Sequence, residues 1–531
     1  MAARRDSGVD EAIGGRYAIA SGCAEASQAA ASCLAAGGNV VDAALAASAV
    51  TCVVLPNATT LGGDLFALVK FGEGSGVVAL NATGAASARA SIEAYRGLGH
   101  RFVPERGGLA VQGPGLVAGW QTLHERWGSK PLAELLAPAI HLARNGSAVG
   151  WRLAGAIAEH VDEFSGLPGW RDVFAPGGRP LAEGDRLVQD NLAGTLARIA
   201  EQGARAFYEG PVARDIARSV ALAGGFLDET DLATIKAEMQ KPLTARYRDV
   251  EIHTQPPISQ GLILLRALRL LAAAAPEPRR LGQAEFWAQA ARSLDKAFEE
   301  RLALMGDGAW ARDAAQAIIE GRAGEFRQPR FEHAQTADNT SALSVMDAEG
   351  NGVAIIQSVY AELGSGVVGV ESGVLLNNRL IGFFLDPQRA NALAPKRRTM
   401  HTLHNFMAFD AKGLRWVGGS PGGDNQPQVN LQVLARLVDF GEAPSAAVGA
   451  PRWSLAPGTK PRELAVAPGR VVETEPGVPA EVREGLVAAG FTVQEKPKLR
   501  AGSSKIVGRD PRKGMLGAWA DWRREGATAA G

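Results

Sequence analysis

The sequence predicts an α+β protein, and three features of its patterning carry that reading. Leu343, Ser344 and Val345 alternate, Val353 to Ile356 form a second apolar run, and Asp347-Ala348-Glu349-Gly350-Asn351 between them supplies turn chemistry, so the stretch reads as a β-hairpin. Ala24 to Ala36 and Asp42 to Val54 are alanine-rich and read as helices whose small side chains allow close approach to a sheet. Strand-like runs dominate from Thr340 onward and are bracketed by helical stretches, as layers of sheet covered by helix require.

Taken in order, residues 1–15 read as a loose tail. Tyr17 to Ser21 reads as a first strand, and Gly37-Gly38 ends the first helix because glycine accepts a left-handed C-cap. Phe66 to Phe71 and Gly76 to Leu80 read as paired strands. A long helical region runs from Leu116 to Leu232, with Trp120 to Trp127 and Leu132 to Asn145 among its helices and Pro131 in a first-turn position. Leu262 to Ala274, Phe286 to Leu304, Leu431 to Phe440 and Ala480 to Ala489 supply further helices. Residues 321–339, with Arg322, Arg327, Pro329, Arg330 and His333, are polar and irregular and read as an exposed loop. There is no tandem repeat.

Composition narrows the function classes. Lys+Arg and Asp+Glu both number 56, so nothing favours a nucleic-acid partner or a polybasic membrane contact. No segment approaches the roughly 18–20 apolar residues of a bilayer span. The start, Met1-Ala2-Ala3-Arg4-Arg5, is not followed by an apolar run and so does not read as a secretory signal. Cys23, Cys33 and Cys52, an odd set without metal-ligand spacing, read as buried thiols of a reducing compartment. The expected location is the cytoplasm. The length, 531 residues, would by itself suggest two to four domains.

The hairpin also carries chemistry. A threonine stands at its start, and a cut before Thr340 would give one residue both a hydroxyl nucleophile and an α-amine of near-neutral pKa that can take the hydroxyl proton.

Thr340-Ser341-Ala342-Leu343-Ser344-Val345-Met346-Asp347-Ala348-Glu349-Gly350-Asn351-Gly352-Val353 resembles the segment that opens the small subunit of the γ-glutamyltranspeptidase family of N-terminal-nucleophile hydrolases. Further matches are collinear: Gly37-Gly38-Asn39-Val40-Val41-Asp42, Leu61-Gly62-Gly63-Asp64, Pro256-Pro257-Ile258-Ser259-Gln260-Gly261, Leu376-Asn377-Asn378 and Ser420-Pro421-Gly422-Gly423. The resemblance implies a four-layer αββα sandwich built as one domain from two pieces, a large subunit 1–339 and a small subunit 340–531. It implies self-cleavage between Asn339 and Thr340, with Thr340 as nucleophile and Ser358 as a second hydroxyl beside it. Gly422 and Gly423 match the pair whose N–H groups form the oxyanion hole, donors worth roughly 3–4 kcal/mol each in comparable sites. No metal or organic cofactor is implied. The partners are a small-molecule amide and the two subunits of one precursor, with a dimer of processed units left open.

The departures from the family pattern bear on substrate. Where typical members carry an arginine that holds the glutamyl α-carboxylate, this chain has Asn81-Ala82-Thr83-Gly84-Ala85. Arg379-Leu380-Ile381-Gly382 replaces the acid that grips the α-ammonium, and Arg398-Thr399-Met400-His401-Thr402 replaces a double serine. A zwitterionic head needs partners when buried. The replacements point instead to Arg379 and Arg398 as binders of a single carboxylate and to His401 as a donor to the acyl group, with Asn377 in the same substrate-binding set. Met400-His401-Thr402-Leu403 resembles the oxamate-amidohydrolase-like branch; cephalosporin-acylase-like relatives are another branch with altered acyl pockets. The expected function is a self-processing amidohydrolase acting on a small carboxylate-bearing acyl amide. A true γ-glutamyltransferase or glutathione hydrolase, and an uncleaved metabolite-binding relative, stand as alternatives.

Overall fold

The computed structural model describes residues 8–304, 306–307, 309–322, 339–455, 471–497, 501–510 and 514–531. Among them two seven-stranded sheets lie face to face. Across one sheet the order is Ala527–Ala530, Tyr17–Ser21, Asn339–Asp347, Gly352–Tyr360, Asp64–Lys70, Val78–Ala82 and Glu238–Gln240. Across the other it is Val9–Gly14, Leu516–Asp521, Lys505–Arg509, Gly413–Gly419, Asn405–Asp410, Val250–Thr254 and Leu243–Tyr247. Both sheets contain strands from before and after Thr340.

Both faces of each sheet are buried, which gives four layers. Ala18, Leu68, Met346 and Ala354 of the first sheet meet Met407, Val417, Val507 and Ala518 of the second. On the outer face of the first sheet, Leu343, Val345, Val353 and Ile355 pack under the helix Val40–Val54. Every residue of that helix is buried, which explains why its sequence is apolar without a polar stripe. Helices Gly261–Ala274 and Asn425–Val438 cover the second sheet. This is the αββα sandwich.

The hairpin forms as its pattern requires. Register runs from Ser341 opposite Gln357 to Met346 opposite Gly352. Gly350 takes φ 78°, and Asn351 N donates to Asp347 Oδ1 at 2.9 Å. The Asn39–Asp42 motif is a capping box: Asn39 Oδ1 accepts from Val41 N at 2.8 Å and Asp42 N at 3.0 Å, and Asp42 Oδ2 accepts from Asn39 N.

Two local expectations are corrected. The tail reading of residues 1–15 misses the edge strand Val9–Gly14, which pairs with Leu516–Asp521 from Val9 opposite Asp521 to Gly14 opposite Leu516. Its Asp10 and Glu11 hid it, because a short edge strand tolerates polar residues that a central one does not. The exposed-loop reading of 321–339 fails at its end: Asn339 lies inside a strand and is 3% exposed, while residues 323–338 lie outside the described residues. No described helix is long and apolar enough to cross a membrane.

Candidate active site

Thr340 sits at an irregularity in its sheet. Asn339 pairs with Tyr360, but the next paired residues are Ser341 and Gln357, so Ser358 and Val359 stand opposite Thr340 alone. A bulge of this kind unpairs and re-aims a residue. It puts two hydroxyls and one carbonyl in a chain. Thr340 Oγ1 donates to Ser358 Oγ at 3.3 Å, and Ser358 Oγ donates to the Asn339 carbonyl at 2.7 Å. Tyr360 N donates to Ser358 Oγ at 2.8 Å and fixes it. The bond between Asn339 and Thr340 thus has a hydroxyl poised beside it and a second hydroxyl on its carbonyl oxygen.

Neighbouring motifs hold this arrangement. A Cβ on Gly63 would lie 2.5 Å from the Ser358 carbonyl oxygen, so only glycine lets the chain pass and deliver Asp64 opposite Ser358. The Gly422-Gly423 turn joins the strand Gly413–Gly419 to the helix Asn425–Val438, with φ 129° at Gly422 and 54° at Gly423. Both glycines are buried, and neither N–H has an acceptor among the described residues. Unsatisfied amides at a helix N-terminus suit an anion or oxyanion. Gln260 Nε2 ties this turn to the His401 segment by donating to the carbonyls of Gly423 at 2.9 Å and Thr402 at 2.7 Å. Thr340 and Pro421 line one cavity of about 20 Å³, together with Gly22, Arg152 and Lys505. Lys505 Nζ donates to Ser503 Oγ at 2.5 Å, and burial pushes its amine down to about 7.

On the other side of Ser358 lies a buried charge cluster. The Arg379 guanidinium stacks 4.0 Å from the centre of the Tyr360 ring. Its Nε is 3.4 Å from Asp64 Oδ2, which also meets His401 Nε2 at 3.1 Å. All three side chains are fully buried. None of the three Arg379 guanidinium nitrogens makes a hydrogen bond among the described residues, and Asp64 Oδ1 and His401 Nδ1 likewise have none. Burial pushes Arg379 down to about 10, with Asp64 offsetting only part of it. Burial and the Arg379 charge push His401 down to about 4, so its ring is neutral near pH 7.

The other predicted binding residues are otherwise employed. Arg398 is corrected as a free carboxylate binder: its Nη2 donates to Asp307 Oδ1 at 2.9 Å and its Nη1 pairs with Glu238 at 3.1 Å. Asn377 is a scaffold residue. Its Nδ2 donates to the carbonyls of Gly62 and Gln112, and its Oδ1 accepts from the N–H groups of Gln112 and Arg379. Sequence reasoning did not single out Asp64, Arg152 or Lys505. Asp64 stood in a recognised motif, but nothing in the sequence joins Arg152 or Lys505 to Thr340.

The profile of the family described as gamma-glutamyltranspeptidase matches residues 26–531. The chain belongs to the γ-glutamyltranspeptidase family. Within it, the chain is 33% identical to the glutathione hydrolase-like YwrD proenzyme of Bacillus subtilis over 83% of this chain and 85% of that one. It is 34% identical to the oxamate amidohydrolase proenzyme of Klebsiella pneumoniae over 81% and 83%. The crystal structure of cephalosporin acylase from Bacillus halodurans superposes with a TM-score of 0.87 at 30% identity, covering 100% of this chain and 98% of that one. The protein is an amidohydrolase of the γ-glutamyltranspeptidase family, with the N-terminal-nucleophile hydrolase fold.

Proposed function

We propose that the precursor cleaves itself between Asn339 and Thr340, and that Thr340 then hydrolyses an amide whose acyl part carries one carboxylate and no ammonium. The observation that carries the cleavage is the chain from the Thr340 hydroxyl through Ser358 to the Asn339 carbonyl. Thr340 Oγ attacks that carbonyl carbon, the C–N bond breaks, and the hydroxyl proton passes to the departing nitrogen. Water then hydrolyses the ester, leaving a carboxylate on Asn339 and a free amine on Thr340. In turnover that amine is the base, with a pKa near 8. It takes the Thr340 proton during attack and returns it to the leaving amine. Gly422 and Gly423 N–H groups stabilise the oxyanion, and water releases the acyl group from Thr340. The pieces 1–339 and 340–531 stay together as one αββα unit. They act in the cytoplasm, a compartment that suits the unpaired thiols of Cys23, Cys33 and Cys52.

The acyl preference rests on Arg379, a buried guanidinium with unmade hydrogen bonds and one shared carboxylate partner. A substrate carboxylate supplies what is missing. A free ammonium would be placed beside a buried cation. Oxamate, the amide in the name of the Klebsiella relative, has one carboxylate and no ammonium. The test compares glutaryl and γ-glutamyl anilides on the processed enzyme. The glutaryl compound should have the higher kcat/KM by about a hundredfold or more. Equal or better turnover of the γ-glutamyl compound would sink this specificity.

A further inference from the structure

Arg152 enters the site from a distant element. It is the second residue of the helix Trp151–Phe164, and its Nη2 donates to Asn339 Oδ1 at 2.5 Å. Its side chain is 15% exposed and lies 3.8 Å from Glu362, two residues beyond the strand that carries Ser358. Asn339, 3% exposed, is the residue whose carbonyl is attacked in the cleavage proposed above. It is therefore held at three places. Its backbone pairs with Tyr360, its carbonyl accepts from Ser358, and its side chain accepts from Arg152.

The three contacts act on different degrees of freedom. Sheet pairing and the Ser358 bond hold the peptide but leave the Asn339 side chain free to turn. The Arg152 bond removes that freedom and braces the residue against rotation of its carbonyl away from Thr340. A peptide bond at a bulge lacks the full ladder that would otherwise hold it. A charge-assisted bond to a buried side chain supplies the missing restraint. Holding the reacting atoms in register is worth rate, because the attack needs the hydroxyl and carbonyl carbon in a near-attack geometry.

We propose that Arg152 is a positioning residue for self-cleavage, acting through the side chain of Asn339. The inference rests on cleavage at the Asn339–Thr340 bond. Once that bond is broken, Asn339 is a chain end and its carbonyl no longer has to be held against Thr340. Arg152 acts on Asn339 through the side-chain Oδ1 and takes no proton.

The test follows conversion of precursor to fragments on denaturing gels after cell-free synthesis of the full chain. The variants are Arg152→Ala, Arg152→Lys, Asn339→Ala and the double Arg152→Ala/Asn339→Ala. Arg152→Ala should slow cleavage by about tenfold or more, the scale of one lost hydrogen bond to a charged group. Asn339→Ala should slow it by a similar factor, the double variant should be no slower than the slower single, and Arg152→Lys should recover part of the rate. A rate for Arg152→Ala equal to wild type, or a double variant slowed by the product of the two singles, overturns the proposal. Should Arg152→Ala not fold by circular dichroism, Asn339→Ala decides alone: wild-type speed overturns the proposal, and slowing upholds it. If the wild-type fragment begins at another residue, the cleavage reading falls and this one with it. If it begins at Thr340 while Arg152→Ala is as fast as wild type, only this one falls.

Discussion

Arg523 and Arg379 are both buried and both face carboxylates, yet their surroundings differ. Arg523 donates from Nε to Glu475 at 2.7 Å, from Nη1 to Asp521, and from Nη2 to Glu475 at 2.6 Å and to the Ala450 carbonyl at 2.8 Å. Its two acids are shared with Arg452, which pairs with Asp521 at 2.6 Å and donates its backbone N–H to Glu475. Burial alone would lower the Arg523 pKa, but Asp521 and Glu475 together raise it. Arg379 has one carboxylate, shared with His401, and no aligned hydrogen bond among the described residues. A closed network ties strands and loops together. An open one leaves donors without a partner among the described residues, and a buried donor without a partner is costly enough to need a reason. At Arg379 the reason fits a substrate carboxylate.

The largest effect that would test this contrast is on stability. Arg523→Met leaves buried Glu475 with backbone donors only among the described residues and Asp521 with Arg452 as its ion-pair partner, and should cost about 3–5 kcal/mol in denaturant unfolding of the uncleaved Thr340→Ala precursor. A loss under about 1 kcal/mol would show that the closed network is not structural.

Next comes binding. Arg379→Met should lower kcat/KM for a carboxylate-bearing amide by about 2–3 kcal/mol, and that of its neutral ester far less. It should cost less stability than Arg523→Met, because one poorly aligned ion pair is lost in place of several hydrogen bonds. Arg379→Lys should fail to restore the acid preference, since an ammonium lacks the planar fork. Equal losses for acid and ester would remove Arg379 from carboxylate recognition.

The smallest expected effect is on pH dependence. His401, near Asp64, Arg379 and the Phe66 ring, titrates at about 4 in the fold against an ordinary 6.5. Between those values the unfolded chain binds the proton and the fold does not, so stability is full above about pH 6.5 and falls as pH drops toward 4. His404, buried and pushed down to about 3, adds a parallel loss. His401→Gln should therefore flatten the fall in stability across this window by up to about 1 kcal/mol per pH unit. An unchanged slope would mean that the His401 ring is not held neutral in the fold.

Local pattern and long-range contact differ in what a sequence reveals. The hairpin around Gly350 was legible because its register follows from alternation and one turn. The edge strand Val9–Gly14 was not, because its partner lies at the far end of the chain and its own residues are polar. At the site, Thr340, Ser358 and the glycine pair stood in collinear motifs. Arg379 and His401 were legible as residue types, but their shared partner Asp64 is more than three hundred positions away. Arg398 looked equally suitable until Asp307 and Glu238 met on it. Arg152, at the start of an amphipathic helix, has the sequence signature of any surface arginine. Its contact with Asn339 exists only once that helix docks beside the hairpin.

Every catalytic role proposed for Thr340 requires it to become a chain terminus. N-terminal sequencing and intact mass of the smaller fragment from purified protein test this directly. The smaller fragment should begin at Thr340, Thr340→Ala should not cleave, and Thr340→Ser should cleave more slowly. A fragment that begins at any other residue, or cleavage that persists in Thr340→Ala, would contradict it.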